Sequence, residues 1–502
     1  MKILLKGFVA DGLNEPVRSA VLIDGENIAA VSGDIYGSSA ADKIYSFKNE
    51  IIAPGFIDVH GHSDISLLAA PAAESKRFQG FTSEIAGNCG LSVFPLTEKN
   101  IDHLQELYAQ YNVDLNWQNY PDYQHELAKR QTALRLFSLC GHNTLRSAVA
   151  GYDKKTLSAG EINAMTVLLA DALQNGAVGL SSGLLYVPGC FADDEELIAL
   201  MRIVQQFDKV YATHLRSEGD KLTESLETVF RCAGTAGLKK IEISHLKTAG
   251  KNNWHKLPEV FSIIDKQRKN GADIHFDRYP YTESQTMLSV ILPPPLDTTS
   301  DTEVTVKMRQ EDVRNSTITS LRQNKNDSDW TRYRLSGTSH PELKKFIGQK
   351  FSDIPLDPAE LTVELLRHDA TTATISASGM SRDNMVKILT SPLCMCGSDG
   401  NALPFDARYG SVHPRSFGTA PEFIRILLEN NISIGKIIYQ MSFLPAKFFN
   451  LDGIGTLTPG SKADVTVFDP ENISSKADFA NPFIRPEGIT LSILNGVAEF
   501  YR

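Results

Sequence analysis

Two histidines stand two residues apart in Phe56-Ile-Asp-Val-His60-Gly-His62-Ser-Asp64, at the end of an apolar run. If that run is a strand, its period of two aims both imidazoles the same way. Gly61 between them lets backbone or metal come close. His214 closes Lys209-Val-Tyr-Ala-Thr-His214, and His245 closes Lys240-Ile-Glu-Ile-Ser-His245. Asp399, in Cys396-Gly-Ser-Asp-Gly400, follows a further apolar stretch. One His-x-His is an ordinary strand ending. Four imidazoles and a carboxylate, each at a strand end, form the ligand set of a one- or two-metal hydrolytic site.

The elements that must carry these residues repeat. His214, His245 and Asp277 are separated by 31 and 32 residues, one strand-plus-helix unit each. Between the first two strands, Asp220 is placed to cap a helix with Leu222, Leu226, Val229 and Phe230 on one face. Between the second and third, Pro258 opens a helix bearing Val260, Phe261 and Ile264, and Asn270-Gly271 closes it. Such a succession predicts parallel strands, and over residues 54–439 it predicts an α/β fold, a (β/α)₈ TIM-type barrel with its chemistry at the C-terminal strand ends. A doubly wound sheet competes, but no Gly-rich nucleotide loop follows a strand. The chain ends have another texture. Asp24-Gly25 and Asn495-Gly496 sit between apolar runs as hairpin turns, and Ala463–Asp469 alternates. Neither end has enough strands alone, so residues 1–53 and 440–502 are expected to share one small β-sandwich domain. Residues 294–345 break the rhythm after Pro293-Pro294-Pro295 and read as an insertion at the barrel mouth, a lid or a surface excursion.

Composition narrows the function classes. The 502 residues are 42% hydrophobic and 22% charged, the balance of a globular chain. Fifty Lys+Arg against 60 Asp+Glu leave a net charge of −10 and no basic stretch, which argues against a nucleic-acid partner. No run approaches the roughly 20 apolar residues of a membrane span. Lys6 and Asp11 interrupt the start, so no secretory leader is expected and a cytoplasmic location is. The six cysteines are too scattered for a disulfide framework. Oligomeric state has no signature here.

With the strand-end residues in place, the chain resembles the amidohydrolase superfamily and, within it, the N-acyl-D-amino-acid deacylases (D-aminoacylases). Gly87-Asn-Cys-Gly90, Gly179-Leu-Ser-Ser-Gly-Leu-Leu-Tyr186, Thr213-His-Leu-Arg-Ser-Glu-Gly-Asp220, Ser244-His-Leu-Lys-Thr-Ala-Gly250, Tyr279-Pro-Tyr-Thr282 and His413-Pro-Arg-Ser-Phe-Gly-Thr419 are similar to that family's segments, in its order. Many two-metal amidohydrolases bridge their metals with a carboxylated lysine after strand four. Neither Leu136–His142 nor Ala177–Tyr186 contains a lysine. Cys89 is the soft alternative, and with His214 and His245 it leaves a fourth position open, as catalytic zinc requires. The resemblance implies one tight Zn²⁺ there and a weakly occupied or empty site at His60, His62 and Asp399. It also implies that Tyr186 and Lys247 hold the α-carboxylate of a small N-acyl amino acid. Arg382 is a chemically suited bidentate partner for a carboxylate, and Ser284 adds a hydroxyl. The expected reaction is amide hydrolysis with Asp399 as general base, then acid. A cyclic amidase, a β-aspartyl dipeptidase and a non-catalytic metal-binding barrel are the alternatives. The missing lysine argues against the first two, and the presence of Asp399 against the third.

Overall fold

A computed structural model describes residues 1–37, 41–410 and 412–501. Eight parallel strands form one sheet in chain order: β1 (Phe56–Asp58), β2 (Phe81–Ala86), β3 (Arg135–Gly141), β4 (Gly179–Gly183), β5 (Val210–His214), β6 (Lys240–Ile243), β7 (Asp273–Arg278) and β8 (Cys394–Cys396). The Val59 amide donates to the Cys396 carbonyl at 3.1 Å, and Gly61 bridges in parallel to Gly400. The ring is thus nearly closed, a (β/α)₈ barrel. Every residue of β2 and β5 is buried, because helices cover the outer face and side chains fill the inner one. That double burial is why these strands read as apolar runs rather than alternating ones.

The helices between β5 and β7 bury the faces their spacing indicates, Leu226, Val229 and Phe230 on one, Val260 and Ile264 on the other. One expectation fails. The helix Leu222–Ala236 is flanked by Lys221 without a side-chain cap. Asp220 instead accepts from the Asn253 amide at 2.8 Å, tying the loops after β5 and β6 together.

The chain ends share one seven-stranded sheet, in which Val465–Phe468 pairs antiparallel with Lys43–Pro54. Its last three strands begin at Val465. Residues ahead of it, including Leu444, Phe448 and Phe449, pack instead against Ile57, Val59 and Leu139 of the barrel. The inserted unit is also wider than residues 294–345. It runs from a strand at Glu283–Met287 to one at Thr374–Ser378, with Tyr333–Gly337 completing a three-stranded antiparallel sheet. Helices Asp301–Met308, Glu311–Asn324 and Pro358–Asp369 bury a separate core around Val304, Leu335, Phe351 and Leu365. Glu283-Ser-Gln-Thr-Met is half-buried throughout and polar up to Met287, so it lacks the apolar run that marks a barrel strand. Among the described residues no helix is long and apolar enough to cross a membrane.

Candidate active site

All six metal-capable side chains arrive at the C-terminal mouth of the barrel. His60 and His62 follow β1, Cys89 follows β2, His214 ends β5, His245 follows β6, and Asp399 follows β8. Cys89, His245 and Asp399 sit at φ of +53°, +37° and +52°. Non-glycine residues avoid that region, and each such position costs on the order of 1–3 kcal/mol. Three of the six are therefore aimed inward by strained backbone. Gly87 makes the turn that delivers Cys89: its φ is +73°, and a Cβ there would lie 2.1 Å from the Leu139 carbonyl oxygen.

The six form two overlapping groups. His60, His62, Cys89 and Asp399 offer ligand atoms all within 4.8 Å of one another, and so do Cys89, His214 and His245. Cys89 belongs to both, with its Sγ 3.4 Å from His60 Nε2 and 3.4 Å from His245 Nε2. Burial opposes its ionisation, but the His60 and His245 imidazoles hold the thiol well below its ordinary value. Both ring nitrogens of His214 are buried without a hydrogen-bond partner, which is costly unless a ligand takes one of them. A soft thiolate and two imidazoles, one of them orphaned, fit a zinc ion.

A layer of carboxylates orients these rings. Asp277 Oδ2 lies 2.9 Å from His60 Nδ1 and also accepts the His245 amide at 3.0 Å. Glu242, pushed well above the carboxylate range by burial and by the Asp277 charge, lies within 4.8 Å of Asp277 and His60 and accepts from the Ser244 hydroxyl at 3.0 Å. Glu218 Oε1 and Lys247 Nζ each lie 2.8 Å from His245 Nδ1, leaving Nε2 toward Cys89, while the Asp277 carboxylate accepts from His60 Nδ1–H. Carboxylate–imidazole pairs of this kind fix the tautomer of a ligating histidine. Glu84 stays out of the cluster. Lys76 bridges it at 2.9 Å to Asp58 at 2.6 Å, all three fully buried, and Glu84 accepts the Ser63 amide at 3.0 Å. Its carboxyl occupies the space a Cβ on Gly61 would need, so Gly61 admits a brace for the His60–His62 turn.

Asp399 Oδ1 is 3.0 Å from His62 Nε2 and 3.7 Å from His60 Nε2, and Oδ2 is 2.7 Å from Arg415 Nη1. Burial opposes its charge, yet Arg415 and His62 hold it well below the usual carboxylate range. Arg415 also lies 4.9 Å over the Tyr279 ring, and Arg278 lies 4.1 Å from the same ring. Lys247 is 2.5 Å from Glu218 Oε1 and 2.8 Å from His245 Nδ1. Tyr186 meets the His214 ring edge-on at 4.9 Å and reaches the Thr286 hydroxyl at 3.2 Å. Ser284, on the insertion strand, donates to the Ala377 carbonyl at 3.4 Å. Arg382 is not brought in: it is exposed in the first turn of the helix Arg382–Leu389. The guanidinium beside Asp399 is Arg415.

Arg415, Asp277 and Glu242 are site residues that the sequence left without a role, and Glu218, expected only to brace the loop after His214, meets His245 and Lys247. Two had a signal. Asp277 ends the third strand of the 31–32 residue repeat, and Glu242 is an acid inside the apolar run Lys240-Ile-Glu-Ile.

Models of the amidohydrolase family match residues 44–313 and 349–497. An N-acyl-D-glutamate deacylase of Alcaligenes xylosoxydans xylosoxydans is 32% identical over 98% of this chain and 92% of its own. The crystal structure of N-acyl-D-glutamate deacylase from Bordetella bronchiseptica, complexed with zinc and a phosphonate mimic of the tetrahedral intermediate, superposes with a TM-score of 0.83 at 28% identity, covering 99% of this chain and 96% of that one. A D-aminoacylase with a binuclear metal centre, described as activated by one metal and attenuated by the second, superposes with a TM-score of 0.81 at 28% identity over the same shares.

Proposed function

Because the chain belongs to the amidohydrolase family, in its N-acyl-D-amino-acid deacylase branch, we propose that it hydrolyses N-acyl-D-amino acids to a carboxylic acid and a free D-amino acid. The observation that carries the reading is an ionised, buried Asp399 lying against a thiolate–imidazole cluster suited to zinc. Cys89, His214 and His245 would hold the tight ion, and Cys89 with His60, His62 and Asp399 a second, weaker one. Zinc bound there supplies Lewis acidity toward water and toward the scissile carbonyl.

The chain's own groups do the rest. Asp399 takes a proton from the attacking water as its oxygen bonds to the carbonyl carbon, then gives that proton to the amide nitrogen as the C–N bond breaks. His60 and His62 keep the carboxylate aimed at the cluster. Lys247 and Tyr186 receive the substrate's α-carboxylate, Ser284 of the insertion strand adds a hydroxyl, and Arg415 stands on the Oδ2 side of Asp399. Lys247, a cationic side chain more than nine-tenths buried, suits an anionic substrate. D-configuration rests on the relatives. We place the enzyme in the cytoplasm, where six unpaired cysteines, one of them a proposed ligand, stay reduced. Steady-state kinetics on N-acetyl-D-amino acids with free and with amidated α-carboxylates tests the assignment. The free acids should be turned over far better, and equal kcat/KM would contradict it.

A further inference from the structure

We infer that His413 and Gln285 are positioning residues for this reaction: they tie the first strand of the insertion to Arg415 and thereby set the guanidinium that faces Asp399. The inference rests on the deacylase reading above.

His413 is 2% exposed, with its ring 5.3 Å from Tyr281 and 4.8 Å from Phe479. Its Nε2 lies 3.0 Å from the Glu283 carbonyl oxygen, so Nε2–H donates. Its Nδ1 lies 3.0 Å from the Arg415 amide, so Nδ1 accepts. One neutral tautomer satisfies both contacts. Burial and the Arg415 charge hold the imidazole well below its ordinary pKa, in agreement with that form. The His413 amide donates in turn to Gln285 Oε1 at 2.9 Å. One residue thus makes two bonds to alternate positions of the strand Glu283–Met287 and a third to Arg415.

Arg415 opens the helix Arg415–Glu429, whose flanking residue Pro414 supplies no side-chain cap. The first amides of a helix lack intrahelical partners, and His413 Nδ1 takes one of them. That fixes the backbone from which the guanidinium reaches Asp399 Oδ2 at 2.7 Å. The same insertion strand touches the opposite flank of the cluster, where Thr286 meets Tyr186 and Tyr186 abuts His214. The strand is itself held by full antiparallel pairing with Thr374–Ser378. The insertion therefore acts as more than a cover. Releasing His413 frees Arg415 from Asp399 while leaving the Cys89, His214 and His245 group intact, so turnover suffers more than substrate binding.

Gln285 is half-buried, and its substitution removes one bond of the tie without a core cavity. The test compares Gln285→Leu, which loses the acceptor, with Gln285→Glu, which keeps it. Three readouts are taken: kcat and KM on an N-acetyl-D-amino acid, zinc content, and amide exchange of His413 and Arg415. Gln285→Leu should lower kcat about tenfold with KM within about twofold, leave zinc unchanged and speed exchange at both amides; Gln285→Glu should restore kcat and protection. His413→Asn, whose Oδ1 can accept the Arg415 amide but cannot reach Glu283, should fall between wild type and Gln285→Leu. Unchanged kcat and exchange in Gln285→Leu, or equal losses in the Leu and Glu variants, would overturn the inference. A wild-type protein without deacylase activity would instead sink the functional reading, while amide exchange would still decide whether the tie exists.

Discussion

Replacing Asp399 by Asn removes basicity and keeps shape, and the structure sets the size of the effect. The carboxylate is buried, 2.7 Å from Arg415 and 3.0 Å from His62, and is held ionised far below neutral pH. The carboxamide oxygen can still accept from His62 or from Arg415 but not from both, so the side chain's shape is kept and one polar contact is lost. What disappears is the proton acceptor for the attacking water and the donor for the leaving nitrogen. General acid–base catalysis contributes about 10²–10⁴ in rate, or roughly 3–5.5 kcal/mol of barrier. Zinc should remain, because Cys89, His214 and His245 form a ligand group without Asp399. The assay pairs initial rates of amine release at saturating substrate with zinc quantified by mass spectrometry on the same sample. A fall in kcat of at least about a hundredfold with zinc retained is expected. Zinc lost in parallel with activity would make Asp399 chiefly a ligand. Activity retained would remove it from the mechanism, and Glu84, paired with Lys76 and Ser63, is too firmly held to replace it.

Three further outcomes follow from other parts of the molecule. Purified wild type should carry about one tightly held zinc per chain, and Cys89→Ala should lose most of it on dialysis; a variant that keeps both metal and activity would displace the thiolate from the site. Lys247→Met should reduce kcat/KM by roughly 2–3 kcal/mol on free-acid substrates and by much less on α-amidated ones; equal losses on both would confine Lys247 to bracing Glu218 and His245. His103 contacts Thr302 of the insertion at 3.2 Å, and burial lowers its pKa to about 4. A histidine depressed on folding adds stability that is whole above the unfolded value near 6.5 and is lost as pH falls toward 4, up to about 3 kcal/mol. Urea midpoints measured across that window should therefore be flatter for His103→Gln than for wild type, and identical slopes would contradict the burial argument.

The barrel and the metal-capable side chains were legible because both are written in short-range pattern. Strands buried on two faces give apolar runs, and a parallel barrel repeats them every thirty-odd residues, so His214, His245 and Asp277 announce themselves by spacing. Cys89 was legible through its place after a strand between Gly87 and Gly90, together with resemblance and a missing lysine. Arg415 was not legible. It sits 16 residues beyond Asp399, in a segment with no strand to place it, and its role depends on His413 meeting the insertion. Arg382 looked equally suitable as a type of residue, but a helix start turns it to solvent. The insertion was read too narrowly because Glu283–Met287 and Thr374–Ser378 pair with each other and carry only Met287 and Ile375 as large apolar residues, too few to mark strands.

A racemic N-acetyl amino acid offered to the zinc-loaded protein, with both enantiomers followed by chiral chromatography to completion, tests the deacylase activity and its handedness together. The D-enantiomer should be consumed, releasing free D-amino acid and acetate in equal amounts, while the L-enantiomer remains intact. Release of the L-amino acid, or of neither, would contradict the deacylase reading.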